Sequence, residues 1–452
     1  MVSMPSSFRI PTDKHGQTPL FVAAWKGHEG VVKMLLNQNG VDPNATNQYG
    51  QTLLFVAALA RHEGVVKALL EQVDVNPNTA DKHGQAPLCV TSRKGHEGDV
   101  KMLLNRNDIS SNATNQHGQT RLFAAAQDGH EEIVKMLLNQ NGVDPNTTNQ
   151  YGQTPLFVAA LAGHEGVVKT LLERVDVNPN TADKHGQAPL CVAAWKGHEV
   201  VVKMLLNRDS VDPNTTNQYG QMPLFAAALD GHEGVVKVLL NQNSIDPNIM
   251  NQYGQTPLFV AALAGHEGVV KTLLERVDVN PNTADKHGQA PLCVAAWKGH
   301  EEVVRMLLNR NDIDSNATNQ HGQTPLFAAA RDGHERVVKT FLEQVDVSPN
   351  TADKHGQAPL YVATREGHEG VVKMLLDRND VNPNFVDQHG QTPLFVASRD
   401  GHERLVKTLL ERVDVNSDII DLAGQTALSL ALKRGHDAVV KSLSERRNSI
   451  PL

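Results

Sequence analysis

Three things are scarce in this chain: cysteine, basic runs and long apolar stretches. No cluster of Lys or Arg interrupts a sequence of 452 residues that is 20% charged with a net charge of −8. A nucleic acid or an anionic membrane would want a basic face, so neither is expected as a partner. No run approaches the ~18 apolar residues of a membrane span. The opening MVSMPSSFRIPTDKHG has no apolar core of a signal peptide. A cytoplasmic setting follows as the expectation, with the nucleus as the alternative. Cys89, Cys191 and Cys293 are the only thiols, at a constant interval of 102 residues.

That interval points to what is present. Glycines recur every 34 residues from Gly16 to Gly424, which defines twelve 34-residue units over 12–419 and a last one over 420–452, after a leader of residues 1–11. A fixed period of this length is the mark of a repeat array and takes precedence over any motif inside it. All 21 histidines fall at two positions of the unit. Thirteen, from His28 to His436, follow the first helix, twelve of them in a Gly-His pair and His62 after Arg61. Eight lie in the turn-forming segment, the finger: His15, His83, His117, His185, His287, His321, His355 and His389.

Within TPLFVAAWKGH the Thr18 hydroxyl is placed to cap a helix whose first residue is Pro19, where a missing N–H costs nothing. Gly27 suits the left-handed residue that closes it. EGVVKMLLNQ sets Val31, Val32, Leu35 and Leu36 on one stripe of a second helix. VDPNATNQYGQ, dense in Asn, Asp, Pro and Gly, reads as a projecting turn. One such helix pair cannot bury its own stripe, so neighbours must stack.

The pattern G-Q-T-P-L-x-x-A-A-x-x-G-H-x-x-V-V-K-x-L-L, recurring thirteen times in register, resembles the ankyrin repeat over 12–452. The usual unit has 33 residues. The extra residue falls in VDVNPNTAD, a form similar to the ankyrin arrays of fungal NACHT-type sensor proteins, although no GxxxxGK[ST] phosphate loop is present. The resemblance implies an all-α solenoid of thirteen stacked helix-turn-helix repeats with projecting β-turn or hairpin fingers. The histidine of the family's TPLH is replaced throughout, by Phe, by the three Cys, by Tyr361 and by Ser429, and its Thr becomes Ala at Ala86, Ala188, Ala290 and Ala358. Leu53 and Arg121 replace the helix-starting Pro, where looser units are expected.

The stretch DKHGQAPLCVAAWKGHE, present at both 183–199 and 285–301, gathers an acid, a thiol and two histidines, yet the repeat frame separates them. Cys191 stands where other units have Phe, so the cysteines read as small packed hydrophobes. Equivalent thiols three units apart lie ~30 Å from each other at roughly 10 Å per unit, too far to bridge. Finger histidines one unit apart are equally unable to converge on one zinc ion. No enzyme, metal site or cofactor is expected.

Function in such an array belongs to positions that vary while the frame stays fixed. One is the finger residue before Gly, His or Tyr in twelve units, which places Tyr49, Tyr151, Tyr219 and Tyr253 beside a recurrent Gln. The other lies two residues before the glycine of Gly-His. It holds Trp25, Leu161, Trp195, Leu229, Leu263 and Trp297, then turns basic at Arg331, Arg365 and Arg399. Trp and Arg dominate binding hot spots. The expected function is a monomeric, non-enzymatic scaffold that binds a protein on its concave face. The alternatives are the sensing partner of a split NACHT-like receptor, and a small-molecule-binding enzyme or pathway accessory.

Overall fold

The computed structural model describes residues 17–38 and 40–448. The leader 1–11, the finger residues His15 and Gly16, and the last four residues therefore lie outside the described residues. Among the described residues twenty-six α-helices form thirteen pairs, and the repeats are numbered 1 to 13 from the N-terminus. Repeat 1 pairs Pro19–Lys26 with Glu29–Leu36, and repeat 9 pairs Pro291–Lys298 with Glu301–Leu308. The protein divides into two compact bodies, one ending at Gln218 with repeats 1–6 and one beginning at Tyr219 with repeats 7–13. In each body first helices pack on first helices and second helices on second helices. Among the described residues the only β-bridge joins Thr114 and Thr120, so the fingers are turns.

The helix boundaries follow from local chemistry. Thr18, Thr52, Thr120, Thr154, Thr256, Thr324 and Thr392 accept the amide of the residue three ahead, as an N-cap does. The Ala units lack that bond, and so does Met222. In repeat 13, Ser429 completes a reciprocal capping box with Thr426. The core alternates phenylalanines such as Phe157 and Phe259 with fully enclosed alanines such as Ala159 and Ala261. The valine stripe is buried at Val65 and Val66, whereas Val31 in repeat 1 is 41% exposed. In repeat 13 the second helix is polar toward solvent, but Ile420, Leu422 and Leu432 stay exposed.

Repeats are joined by polar bonds of fixed register. The Gly-His histidine donates Nε2–H to a carbonyl 37 residues back: His62 to Trp25 O at 2.9 Å, His266 to Leu229 O at 2.9 Å and His334 to Trp297 O at 2.9 Å. The preceding glycine serves two purposes. Gly265 sits at φ 78°, and a Cβ there would lie 2.6 Å from the His300 ring of the next repeat. In the loop, Asn282 donates to Asp312 O at 2.6 Å and accepts from the Asp314 amide at 2.9 Å. Arg276 donates to Leu240 O at 2.7 Å while Asp278 holds its other nitrogens.

Repeats 2 to 4 break these rules. Arg61 replaces the glycine yet keeps φ 61°. Its Cβ occupies space that the following histidine fills elsewhere, and His96 bonds Ala58 O through Nδ1 at 2.9 Å instead. Leu53 is buried at the start of its helix, where most repeats have proline. Arg121 is buried as well, but its Nε has no partner and desolvation lowers the guanidinium to about 10. In repeat 3, Asp99 stands where other repeats have Val, Ile or Leu. It is fully enclosed, both carboxylate oxygens lack a hydrogen-bond partner, and burial, seconded by Glu63, pushes it up to about 7.

Two outcomes follow from this packing. Asn282→Ala removes two bonds between repeats at an exposed site and should lower stability by about 1–2 kcal/mol, read as a shifted urea midpoint. Asp99 binds its proton more tightly folded than unfolded, so its cost to stability is absent below about pH 4 and grows as pH rises to about 7. Asp99→Val should therefore stabilise the protein, and by on the order of 2 kcal/mol more at pH 8 than at pH 5.

Candidate functional site

The residue two before the glycine of Gly-His lies at the C-terminal end of each first helix, on its solvent side. In the first body Trp25 is 47% and Trp195 36% exposed, and Leu161 is half-buried. In the second body Leu229 is 39% exposed, with Leu263 and Trp297 half-buried. Leu161 and Trp195 belong to the first body, and Leu229, Leu263 and Trp297 to the second. Each tryptophan carries a cation from its own helix end: Lys26, Lys196 and Lys298 stand 4.5, 3.7 and 3.9 Å from the ring centroids. One ring face therefore meets an ammonium, which adds positive charge beside each apolar anchor.

The arginines are not a free basic row. Asp332 grips Arg331 with two bonds, at 2.9 and 3.1 Å, Glu366 pairs Arg365 at 2.9 Å, and Asp400 grips Arg399 at 2.8 Å twice. Each pair keeps its guanidinium planar and oriented at little net charge. Neighbouring finger glutamines add to this, Gln357 accepting from Arg365 at 2.8 Å and Gln391 from Arg399 at 3.4 Å.

Tyr49, Tyr151, Tyr219 and Tyr253 project from finger tips at 55, 56, 44 and 52% exposure. Their backbone carbonyls accept from the next finger, Lys82 N–H donating to Tyr49 O at 3.0 Å and Lys286 N–H to Tyr253 O at 3.0 Å. The recurrent glutamine is less available than the sequence suggests. In Asn fingers its Oε1 accepts the Asn amide, as with Asn47 to Gln51 at 2.9 Å, and its own N–H is fixed by the same Asn. The finger is an Asx-turn whose first residue is buried, as at Asn47 and Asp183, or half-buried, as at Asn319, a pairing visible in sequence only as a constant spacing of four.

The thiols are packed. Cys89, Cys191 and Cys293 are 9, 4 and 5% exposed, and Cys191 and Cys293 point at Thr215 O and Ala317 O. Burial pushes Cys89 and Cys293 up to about 11 and raises Cys191 also. Among the described residues no three His, Cys, Asp or Glu side chains meet as metal ligands, and no helix is long and apolar enough to cross a membrane.

Sequence reasoning missed two features. One is a buried pair in repeats 11 and 12, where Tyr361 Oη donates to Asp387 at 2.9 Å. The other is a cavity of about 210 Å³ in the second body, between repeats 9 and 10, with Cys293, Trp297, Gln289, His321, Gln323 and Arg331 in its wall. Its signal is a substitution pair. Cys293 replaces the usual Phe, and Ala328 in the next repeat stands where the neighbours have Val294 and Val362.

A family model described as "Ankyrin repeats (3 copies)" matches in overlapping stretches from 20–115 to 379–450, across nearly the whole sequence. No curated protein matches. Many solved structures do, among them the crystal structure of EF0377, an ankyrin repeat protein, at 26% identity over 42% of this chain and 96% of that one, with a TM-score of 0.40.

At pH 8 the native protein should leave all three thiols unmodified by iodoacetamide over minutes, whereas denaturant should expose three equivalents. Mass spectrometry of the alkylated protein counts them.

Proposed function

We propose, from the premise that this chain belongs to the ankyrin repeat family, that it is a non-enzymatic scaffold whose first-helix and finger face holds another protein. The family's repeats are protein–protein interaction modules, and here they extend over residues 20–450. The observation that carries the reading is the exposure of Trp25 and Trp195 on the solvent side of their helices. Large apolar residues rimmed by polar groups are the usual anchors of an interface.

Recognition would be spread over several repeats. Trp195 in one body and Trp297 in the other supply anchors that a partner desolvates, and Leu161, Leu229 and Leu263 widen the apolar ground around them. Arg331, Arg365 and Arg399, each held by an acid, add polar selectivity more than attraction. The exposed tyrosines Tyr49, Tyr151, Tyr219 and Tyr253 offer rigid, amphipathic edges at the rim. With no basic face, this reading leaves nucleic acid out and keeps the protein in the cytoplasm or the nucleus.

Affinity capture from native extract, comparing the intact protein with Trp195→Ala/Trp297→Ala, tests the reading. Each truncation should weaken the true partner by about 2 kcal/mol, roughly 30-fold, so the partner should disappear from the double variant while circular dichroism stays unchanged. If every captured protein survives the substitution, the tryptophan face is not where binding occurs.

A further inference from the structure

The three arginines of repeats 10 to 12 occupy the same helix position, yet one differs in what it leaves open. In repeats 11 and 12 the finger begins with an aspartate, Asp353 or Asp387, which cannot donate to the finger glutamine. Gln357 and Gln391 are then free to accept Nη1 of Arg365 and Arg399. In repeat 10 the finger begins with Asn319, whose amide takes the Oε1 of Gln323 at 3.1 Å. Arg331 is thereby deprived of that acceptor. Asp332 holds its Nε and Nη2, and Nη1 has no partner. The Gln323 NH2 group, with its oxygen engaged, is left as a donor as well.

Both groups belong to the wall of the 210 Å³ cavity opened by Cys293 and Ala328. No carboxylate lines that cavity. Its only permanently charged wall group is Arg331, Lys298 adds a second cation over the Trp297 ring, and the exposed His321 contributes a further polar edge. The indole supplies an apolar side against which a methylene stem can lie.

We propose that this cavity receives a carboxylate of the protein partner, from an Asp or Glu residue or from the partner's carboxyl terminus, on Arg331 Nη1 and the Gln323 amide beside Trp297. The inference rests on the scaffold reading above and adds the chemistry of one contact. A carboxylate accepts from both donors at once and sets a full charge against the guanidinium, which the oxygen of a neutral amide does not. Asp332 already shows that a carboxylate is accommodated on the same guanidinium. The incoming group shares Arg331 with it, and Asp332 sets a ceiling on affinity through like-charge repulsion.

The test uses the full-length protein with Trp25→Phe and Trp195→Phe, so that Trp297 is the sole indole. N-acetylglutamate methylamide is titrated to ~100 mM at constant ionic strength against the isosteric N-acetylglutamine methylamide, with Trp297 emission as the readout. A saturable change should appear with the glutamate probe and be about tenfold weaker with the glutamine probe, the ratio expected for a charge-assisted bond. Arg331→Gln should erase that preference, Cys293→Phe should fill the cavity and abolish the signal, and Asp332→Asn should tighten the glutamate probe severalfold. N-acetylalanine, which offers only a terminal carboxylate, separates the two sources. Equal responses to the glutamate and glutamine probes, or no saturable response in the Asp332→Asn protein, would overturn the proposal. Partner capture that survives Cys293→Phe but fails in the double tryptophan variant would do so too, while leaving the scaffold reading intact.

Discussion

One recurrent bond sets the register within each body: the histidine after a first helix, reaching back to the end of the first helix before it. A ring nitrogen that must meet a carbonyl 37 positions earlier ties the pitch of the stack to the 34-residue period. The glycine at the helix end is part of the same constraint. It turns the backbone left-handed and keeps empty the space that the next repeat's ring fills. Loops then add bonds in both directions, Arg guanidinia donating back to carbonyls of the repeat before and Asn amides forward to carbonyls of the repeat after. Arg61 shows the dependence by violating it, since the single added side group moves the His96 bond to a different nitrogen and a different carbonyl.

Much of this was legible in the sequence because local rules and the period agree. Thr18 before Pro19, and Gly27 after Lys26, place a helix to the residue, and the repetition of that pattern places the others. The apolar stripe of the second helix was equally readable, since Val65, Val66 and Leu69 need only a 3.6-residue period to share a face. What was not legible depends on partners one repeat away. The finger glutamines look free in sequence, yet whether Gln323 meets Asn319 or Gln391 meets Arg399 turns on one Asn-to-Asp exchange four residues upstream. The arginine row reads as a basic stripe until the following acid is seen to fold back on it. A buried charge such as Asp99 looks in sequence like any surface acid of a helix N-terminus, and only the packing of repeat 3 between its neighbours reveals it.

The interaction face follows from the same division of labour. Backbone atoms and recurrent polar side chains hold repeat to repeat, which leaves the ends of the first helices free to vary without cost to the frame. Tryptophan, leucine and acid-paired arginine succeed one another there on an unchanged backbone. An ordinary globular core would not tolerate such exchanges at equivalent points, because each site would touch many distant parts of the molecule. Here a substitution is felt by its own repeat and the two beside it.

The periodicity of the histidine bond also bears on how such a molecule changes over generations. Residues 149–199 and 251–301 are identical, three repeats apart. The recurrent polar bonds between repeats each span about one period, so an insertion or loss of whole periods presents each new neighbour with the same donors and acceptors as the old one. Unequal recombination within the gene then yields a foldable product of a different length, whereas in most proteins it would yield debris. The number of binding positions becomes a heritable quantity that can drift or be selected in steps of one repeat, independently of the chemistry written on any of them.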